Sequence, residues 1–337
     1  MERHFGIWAF LVLFLVLDYG CFGCLDEERI ALLELKAAFC SPDCSSLPSW
    51  EDEESDCCGW ERVECSNTTG RVLKLFLNNT RESSQGDLYL NASLFSPFVE
   101  LKILNLSTNM LATLGDDEGS ERPFKLNNLE LLDLSNNTLD ISILASLTEL
   151  SSLKSLSLGT NILEGSIQEL AALHNLEELD LSNNLLESFI TTKGLKSLRK
   201  LRVLDLETNG FNISTLKSLG RLSLLKELYL GGNKLEGSVT LRELNNLRNL
   251  EVLDLSSTNI SSSILQMVEV MTSLKGLSLR SNGINGSQTA LQGLCKLKNL
   301  QELDLSDNGF EGSVSPCLGN LTSLRALDLS KIDFQET

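Results

Sequence analysis

One nine-residue pattern, Leu-x-x-Leu-x-Leu-x-x-Asn, recurs along the chain and leaves it little choice of fold. It begins at Leu101, Leu129, Leu153, Leu176, Leu201, Leu225, Leu274 and Leu300 with asparagine in the ninth place. At Val72, Leu250 and Leu324 it begins again, with Thr80, Thr258 and Ile332 in that place. These eleven units follow one another at intervals of 23 to 29 residues. Within Leu176-Glu-Glu-Leu179-Asp-Leu181 the last two leucines alternate with polar residues, the period of a half-buried strand. One such strand cannot bury its leucines alone. Stacking neighbours at about 4.8 Å buries them together, as a parallel sheet over a continuous aliphatic core. The ninth-place asparagines, Asn109, Asn137, Asn161, Asn184, Asn209, Asn233, Asn282 and Asn308, fall where the chain leaves the strand. An amide there can both donate to and accept from the backbone of neighbouring turns, so these residues read as a structural ladder.

Composition narrows the function. The 337 residues carry a formal net charge of −18, which argues against nucleic-acid phosphate as a partner. Phe5 to Leu17 is an apolar run preceded by Arg3, short for a bilayer span and suited to a secretory signal covering residues 1–23, cleaved before Cys24. No later stretch is long and apolar enough to span a membrane. Removing Cys21 with the signal leaves eight cysteines, an even number that fits a disulfide framework in an oxidising compartment. Sequons at Asn67, Asn78, Asn91, Asn105, Asn136, Asn212, Asn259, Asn285 and Asn320 agree with secretion. Catalysis finds no support: there is no G-x-S-x-G, no phosphate loop and no His/Cys metal spacing, so neither cofactor nor metal is expected. His174, in Ala172-Leu-His-Asn-Leu, reads as a partnered surface histidine on the convex side.

Four units carry a further mark: Leu163-Glu-Gly165-Ser-Ile, Leu235-Glu-Gly237-Ser-Val, Ile284-Asn-Gly286-Ser and Phe310-Glu-Gly312-Ser-Val. A glycine at a fixed offset suggests positive φ or close approach of neighbouring coils, and the β-branched residue after it suits a second short strand. Before the repeats stand Cys24-Leu-Asp-Glu-Glu-Arg-Ile (continuing to Phe39), Leu47-Pro-Ser-Trp50 and Asp56-Cys-Cys-Gly-Trp-Glu-Arg-Val-Glu-Cys65. In the first of these, Ile30, Leu33 and Ala37 fall on one helical face, and Glu27 and Glu28 favour the helix dipole. Together these motifs resemble the plant class of leucine-rich repeat and the N-terminal cap of plant receptor-like proteins, although the proline that usually ends the repeat motif is absent throughout.

The resemblance implies an α/β solenoid. It would be a leucine-rich-repeat horseshoe or superhelix with a parallel concave β-sheet, a mostly irregular or 3-10 convex side and a disulfide-stapled helical cap. Residues 24–70 would form the cap and 71–337 the eleven repeats, the last incomplete. It also implies pairs Cys24–Cys57, Cys58–Cys65 and Cys40–Cys44. Cys295 and Cys317 lie nearly one repeat apart, on adjacent coils, and read either as a clamp or as two buried thiols. Proteins of this family recognise a peptide or protein ligand on the concave face and signal through partner receptor kinases at the plasma membrane. A secreted inhibitor resembling the polygalacturonase-inhibiting proteins, or a non-functional gene fragment, are the alternatives.

On that face, the column before the second strand leucine carries Asp133, Asp180, Asp205, Asp254, Asp304 and Asp328, which suits a basic ligand or simply a solvated consensus surface. Phe76, Glu207, Tyr229 and Arg280 break the consensus there, and aromatics and arginine are typical interface anchors. Leu114 to Phe124 lengthens one unit with a polar, Gly- and Pro-punctuated stretch read as an exposed loop, its Asp116-Asp117-Glu118 run a solvated charge cluster. Finally, Leu324, Leu327 and Leu329 form a last strand that nothing follows to cover, so fraying is expected from Leu324 and the ending reads as a missing remainder.

Overall fold

The computed structural model describes residues 24–40, 46–50, 55–115, 126–188, 194–237, 247–286 and 288–332. The signal segment, Cys44 of the Cys40–Cys44 pair and the Asp116-Asp117-Glu118 run lie outside them.

Twelve strands form one sheet: β1 (Val63–Cys65), β2 (Val72–Phe76), β4 (Ile103–Asn105), β6 (Leu131–Asp133), β7 (Ser155–Ser157), β9 (Glu178–Asp180), β11 (Val203–Asp205), β12 (Glu227–Tyr229), β13 (Val252–Asp254), β14 (Gly276–Ser278), β16 (Glu302–Asp304) and β18 (Ala326–Asp328), neighbours in that order. Every pairing is parallel except that of β1, a strand from the cap which runs antiparallel to β2 and which the repeat pattern does not foretell. Three short two-stranded sheets lie beside it: β3 (Leu88–Asn91) with β5 (Leu111–Gly115), β8 (Glu164–Ser166) with β10 (Leu185–Ser188), and β15 (Asn285–Gly286) with β17 (Gly309–Phe310). Of these, β8 and β15 contain the motif glycine and β17 precedes it, where the sequence suggested strands after it. Gly165, Gly237 and Gly312 have φ of 94°, 118° and 90°, whereas Gly286 lies within β15 with no positive φ. Leu114 and Gly115, read from sequence as the start of an exposed loop, instead complete β5, and Leu114 is buried.

The strand leucines make the core. Leu176, Leu179 and Leu181 are all buried, as are their counterparts from Leu101 to Leu305, and full burial of one leucine stabilises by about 1.5–3 kcal/mol. In β18 the equivalent Leu327 is 42% exposed, because the described chain places no further coil beyond it.

Each strand ends in the same turn, built from two residues. The first takes the left-handed conformation: Asn79, Thr108, Asn136, Thr160, Asn183, Thr208, Gly232, Ser257, Ser281, Asp307 and Lys331 all have φ between 51° and 69°. The second is the ladder residue. Asn184 donates from Nδ2 to Leu158 O (3.0 Å), Leu181 O (3.1 Å) and Ser182 O (3.0 Å), and its Oδ1 accepts from Leu163 N (3.0 Å). One amide thus satisfies backbone of its own coil and of the coil before. Thr80 has a single, shorter donor and reaches only its own turn, at Leu77 O (2.8 Å), while the Thr258 hydroxyl donates to Leu255 O (2.8 Å) of its own turn and to Asn282 Oδ1 (3.0 Å) of the next coil. A second asparagine row stands at the opposite end of the strands. Asn128, Asn175, Asn249 and Asn299 donate to Val99 O, Ser151 O, Ser223 O and Thr272 O of the preceding coil.

The cap helix, Asp26–Phe39, buries Glu28, Ala31, Leu32, Leu35 and Phe39. The face expected from sequence is the wrong one: Ile30 is 55% exposed, Ala37 is exposed and Leu33 is half-buried. Both stripes keep helical spacing, and the larger stripe of Leu32, Leu35 and Phe39 prevails because it buries more apolar area. Trp50 stacks on Trp60 with centroids 5.5 Å apart. Cys24 is bonded to Cys57 and Cys58 to Cys65, and on the convex side Cys295 is bonded to Cys317.

Candidate ligand-binding face

Strand pairing aligns one side chain per coil into a continuous row, Phe76, Asn105, Asp133, Ser157, Asp180, Asp205, Tyr229, Asp254, Ser278, Asp304 and Asp328, each the direct partner of the next. These residues lie between the buried leucines on the concave side. Most of the row's acids have a local task. Asp133 Oδ1 accepts from Ser135 N (3.0 Å) and Oγ (2.7 Å), and Asp180 and Asp304 hold Ser182 and Ser306 the same way. Asp254 and Asp328 accept from Ser256 N and Ser330 N. The recurring acid therefore closes a turn of the Asx type, which is why it recurs without a ligand to select it.

The middle of the row departs from this rule. Glu207 takes the place of the serine, so Asp205 keeps the bond from Glu207 N (2.9 Å) and has no hydroxyl to accept from. The next coil has Gly231 at that position, and the Glu207 carboxylate leans toward it, Oε1 lying 3.5 Å from where a Cβ would stand. Burial, then the charges of Asp205 and Asp254, then a hydrogen bond shared with Asp254, push Glu207 up to about 7. Burial pushes Asp205 up to about 6 against the bond from Glu207 N, with Asp180 and Asp254 adding repulsion. Tyr229, whose hydroxyl donates to Glu227 Oε2 at 2.9 Å, is raised to about 12 by burial and these neighbouring acids. Asp180, Asp205, Glu207 and Asp254 thus crowd around one point beside an aromatic ring. Asp205 and Glu207 there hold protons near neutrality and give them up when a cation arrives.

Next to it, Tyr229, Val252, Asp254, Gly276, Glu302 and Asp304 line an open recess of about 510 Å³. Glycine at this strand position is the signal the sequence offered for it. Arg280, on the same side, is exposed and draws on Asp328, which the bonds from Ser330 already hold below the usual carboxylate range. Phe76 is half-buried at the opposite end of the row, four strands from the acidic cluster's edge at Asp180. Three residues before the row, just ahead of each strand, opposite charges pair between coils: Lys154 with Glu130 (2.5 Å), and Lys226 and Lys275 with Glu251 (2.9 and 2.6 Å). The bonds from Lys275 and Lys226 hold Glu251 down at about 2. Sequence reading passed over this alternation, visible as Lys, Glu, Lys at the second place of successive units.

The sequon asparagines are distributed unevenly. Asn67, Asn136, Asn212, Asn259, Asn285 and Asn320 are exposed, and Asn78, Asn91 and Asn105 half-buried. His174 lies exposed with Nδ1 3.0 Å from Ala172 O. Among the described residues no group of three or more His, Cys, Asp or Glu is placed to hold a metal ion, and no helix is long and apolar enough to cross a membrane.

Known proteins share this architecture. The pattern of the leucine rich repeat N-terminal domain matches residues 25–66, that of a leucine-rich repeat region residues 185–337, and that of a single leucine-rich repeat residues 128–150. Receptor-like protein 14 of Arabidopsis thaliana is 44% identical over 220 residues, 61% of this chain and 22% of the relative. The chain spans about a fifth of the length of the curated relatives it matches. Among solved structures, the ectodomain of the Arabidopsis receptor kinase HAESA in complex with an N-terminally extended IDA peptide hormone aligns with a TM-score of 0.67 at 26% identity, covering 91% of this chain and 53% of that one. HAESA in complex with IDA and the co-receptor SERK1 aligns with a TM-score of 0.65 at 26% identity, covering 91% and 54%. With its cap and its repeats both matched, the chain belongs to the leucine-rich-repeat proteins, as a relative of the plant receptor-like proteins.

Proposed function

We propose that the chain is the N-terminal part of an extracellular recognition module, and that its concave face binds a peptide or protein ligand through a basic side chain. One observation carries this reading: the Asp205–Glu207–Asp254 cluster beside Tyr229, where the repeat consensus is broken and the carboxyl groups of Asp205 and Glu207 are raised to about 6 and 7. An arginine or lysine seated there would meet carboxylates in a partly desolvated recess, with the aromatic face as a further cation contact. Asp133, Asp180 and Asp304 extend the same acidic row to either side, and Arg280 supplies a counter-charge for an acidic group of the ligand. Signalling through a partner receptor kinase, at the outer face of the plasma membrane, belongs to the same proposal. Its support is the resemblance to receptor-like proteins and to a receptor ectodomain solved with a co-receptor.

A random dodecapeptide library displayed on phage tests it, selected against the secreted chain at pH 6.5 and against Glu207→Ala/Asp254→Ala. Enrichment of Arg- or Lys-bearing sequences on the parent, lost at least tenfold on the variant, is expected. Equal enrichment on both proteins would place recognition elsewhere.

A further inference from the structure

Asn105 stands in the concave row where six of the aligned coils carry aspartate, and comparison with those acids shows what the exchange changes. Asn105 Oδ1 accepts from Ser107 N (2.9 Å) and Ser107 Oγ (2.8 Å), the same pair of bonds that Asp133 makes with Ser135 at 3.0 and 2.7 Å. The turn therefore needs one oxygen and no charge. In the aspartates the second side-chain atom is an oxygen; in Asn105 it is an amide nitrogen. That nitrogen has no hydrogen-bond partner among the described residues, and it is not among their buried unpartnered atoms, so it faces the open concave side. The three residues Asn105-Leu106-Ser107 are also a sequon, with the serine already turned toward the asparagine.

We infer that Asn105 carries an N-linked glycan that projects from the concave sheet and covers its β2–β4 end. The amide nitrogen attacks the anomeric carbon of a lipid-pyrophosphate-linked oligosaccharide. A carbon–nitrogen bond forms, the lipid pyrophosphate leaves and the nitrogen loses one proton. Because transfer takes place on the chain as it enters the secretory pathway, half-burial in the finished coil does not hinder it; the fold has only to leave room for the sugar. The row supplies that room. Phe76 is the neighbour of Asn105 on β2, and a second sequon residue, Asn78, sits two residues beyond it, in a turn bonded to Ser107 through Asn79 N (2.9 Å). Both sequons of the concave side thus gather at one end, and the row from Asp133 to Asp328 has none. The consequence, which rests on the concave face being the ligand face, is that Phe76 underlies sugar and ligand contacts begin at Asp133.

Site occupancy is measured by mass spectrometry on protein secreted from a eukaryotic host, after enzymatic deglycosylation in heavy-oxygen water. Asn105 should be modified in most molecules, and Ser107→Ala should abolish this while Ser107→Thr retains it. A bare Asn105 alongside modified Asn212 and Asn320 overturns the inference alone. All three bare would overturn it together with the secretory reading. Hydroxyl-radical labelling then tests the covering: Phe76 should react several-fold less in the parent than in Asn105→Gln or in enzymatically deglycosylated parent. Equal labelling would show that the sugar points away from the sheet.

Discussion

The carboxylate of Glu28 accepts a hydrogen bond from the backbone amide of Val72 at 3.0 Å, across 44 residues of sequence. It also reaches Arg71 at 3.5 Å, so a fully buried acid on the cap helix satisfies the first repeat strand. Burial raises its pKa, opposed by the bond from Val72 and by Arg71. Glu28→Ala leaves the Val72 amide unsatisfied and should cost about 1–3 kcal/mol, whereas Glu28→Gln keeps an acceptor and should cost well under 1 kcal/mol. Urea unfolding of the two variants checks this; equal losses would show that the charge, not the bond, matters.

Stability should depend on pH in a specific direction. Asp205 and Glu207 stand at about 6 and 7 when folded, against 3.8 and 4.5 for the free groups, so between these values the folded chain binds more protons. Their contribution is present below the unfolded pKa and is lost as pH rises through the folded one, from about 4 to about 7. Glu251 acts in reverse, contributing above 4.5 and failing as pH falls toward about 2. The melting temperature should therefore peak near pH 4, about where the two windows meet, and Glu207→Gln should flatten the fall on its alkaline side. A melting temperature that climbs steadily from pH 5 to 8 would contradict the assignment.

Thr160 and Thr208 are β-branched residues held at φ of 56° and 52°. Left-handed backbone costs such residues about 1–2 kcal/mol, a penalty glycine escapes apart from its greater chain entropy. Thr160→Gly should leave stability unchanged or raise it by up to about 1 kcal/mol. Chemical denaturation reads the change, and a loss beyond 1 kcal/mol would mean that the threonine side chain contributes more than its backbone costs.

At Asn184 the opposite is expected. Asn184→Ala strands the Leu163 amide and the Leu158 carbonyl inside the core, at about 1–3 kcal/mol for each buried group. The damage should stay local, since each coil touches only its neighbours. Hydrogen exchange should accelerate around residues 158–186 and remain unchanged beyond Leu250.

Gly293 offers a test on the convex side. A Cβ there would run into the backbone carbonyl of Leu265, which cannot rotate aside. Gly293→Ala should cost about 1–3 kcal/mol by overpacking. An unaltered melting temperature would show that adjacent coils can separate there without loss.

How much of this was written in the sequence follows from what repetition reveals. The strand positions and the ladder of Asn109 to Asn308 were legible, because eleven copies expose any residue the coil requires. The left-handed turn was not: its position holds Asn, Thr, Ser, Asp, Lys and only once Gly, since the shared conformation is imposed by hydrogen bonds rather than by one residue type. The second asparagine row was missed because just four units use it, each as the residue before the first leucine. In the cap, a helix with two apolar stripes leaves the choice to tertiary packing, and Ile30 lost to Leu32 and Phe39. As to the face itself, the row could be read off directly, but the Asx turns that occupy most of its acids could not. The distinctive cluster appears only where Glu207 and Gly231 fall side by side on adjacent coils.

Because asparagines pin many coils at one or both ends, neighbouring strands cannot slide past one another, and the concave row behaves as a ruler with fixed graduations. Its marks are about 4.8 Å apart, while an extended peptide laid across them advances about 3.3 Å per residue. The two scales form a vernier. They coincide, with the same side of the peptide facing the sheet, after about six residues and four strands. Four strands separate Asp205 from Asp304. A peptide read at both places would carry its determinants six positions apart, and adding or removing one residue between them would put the second out of step.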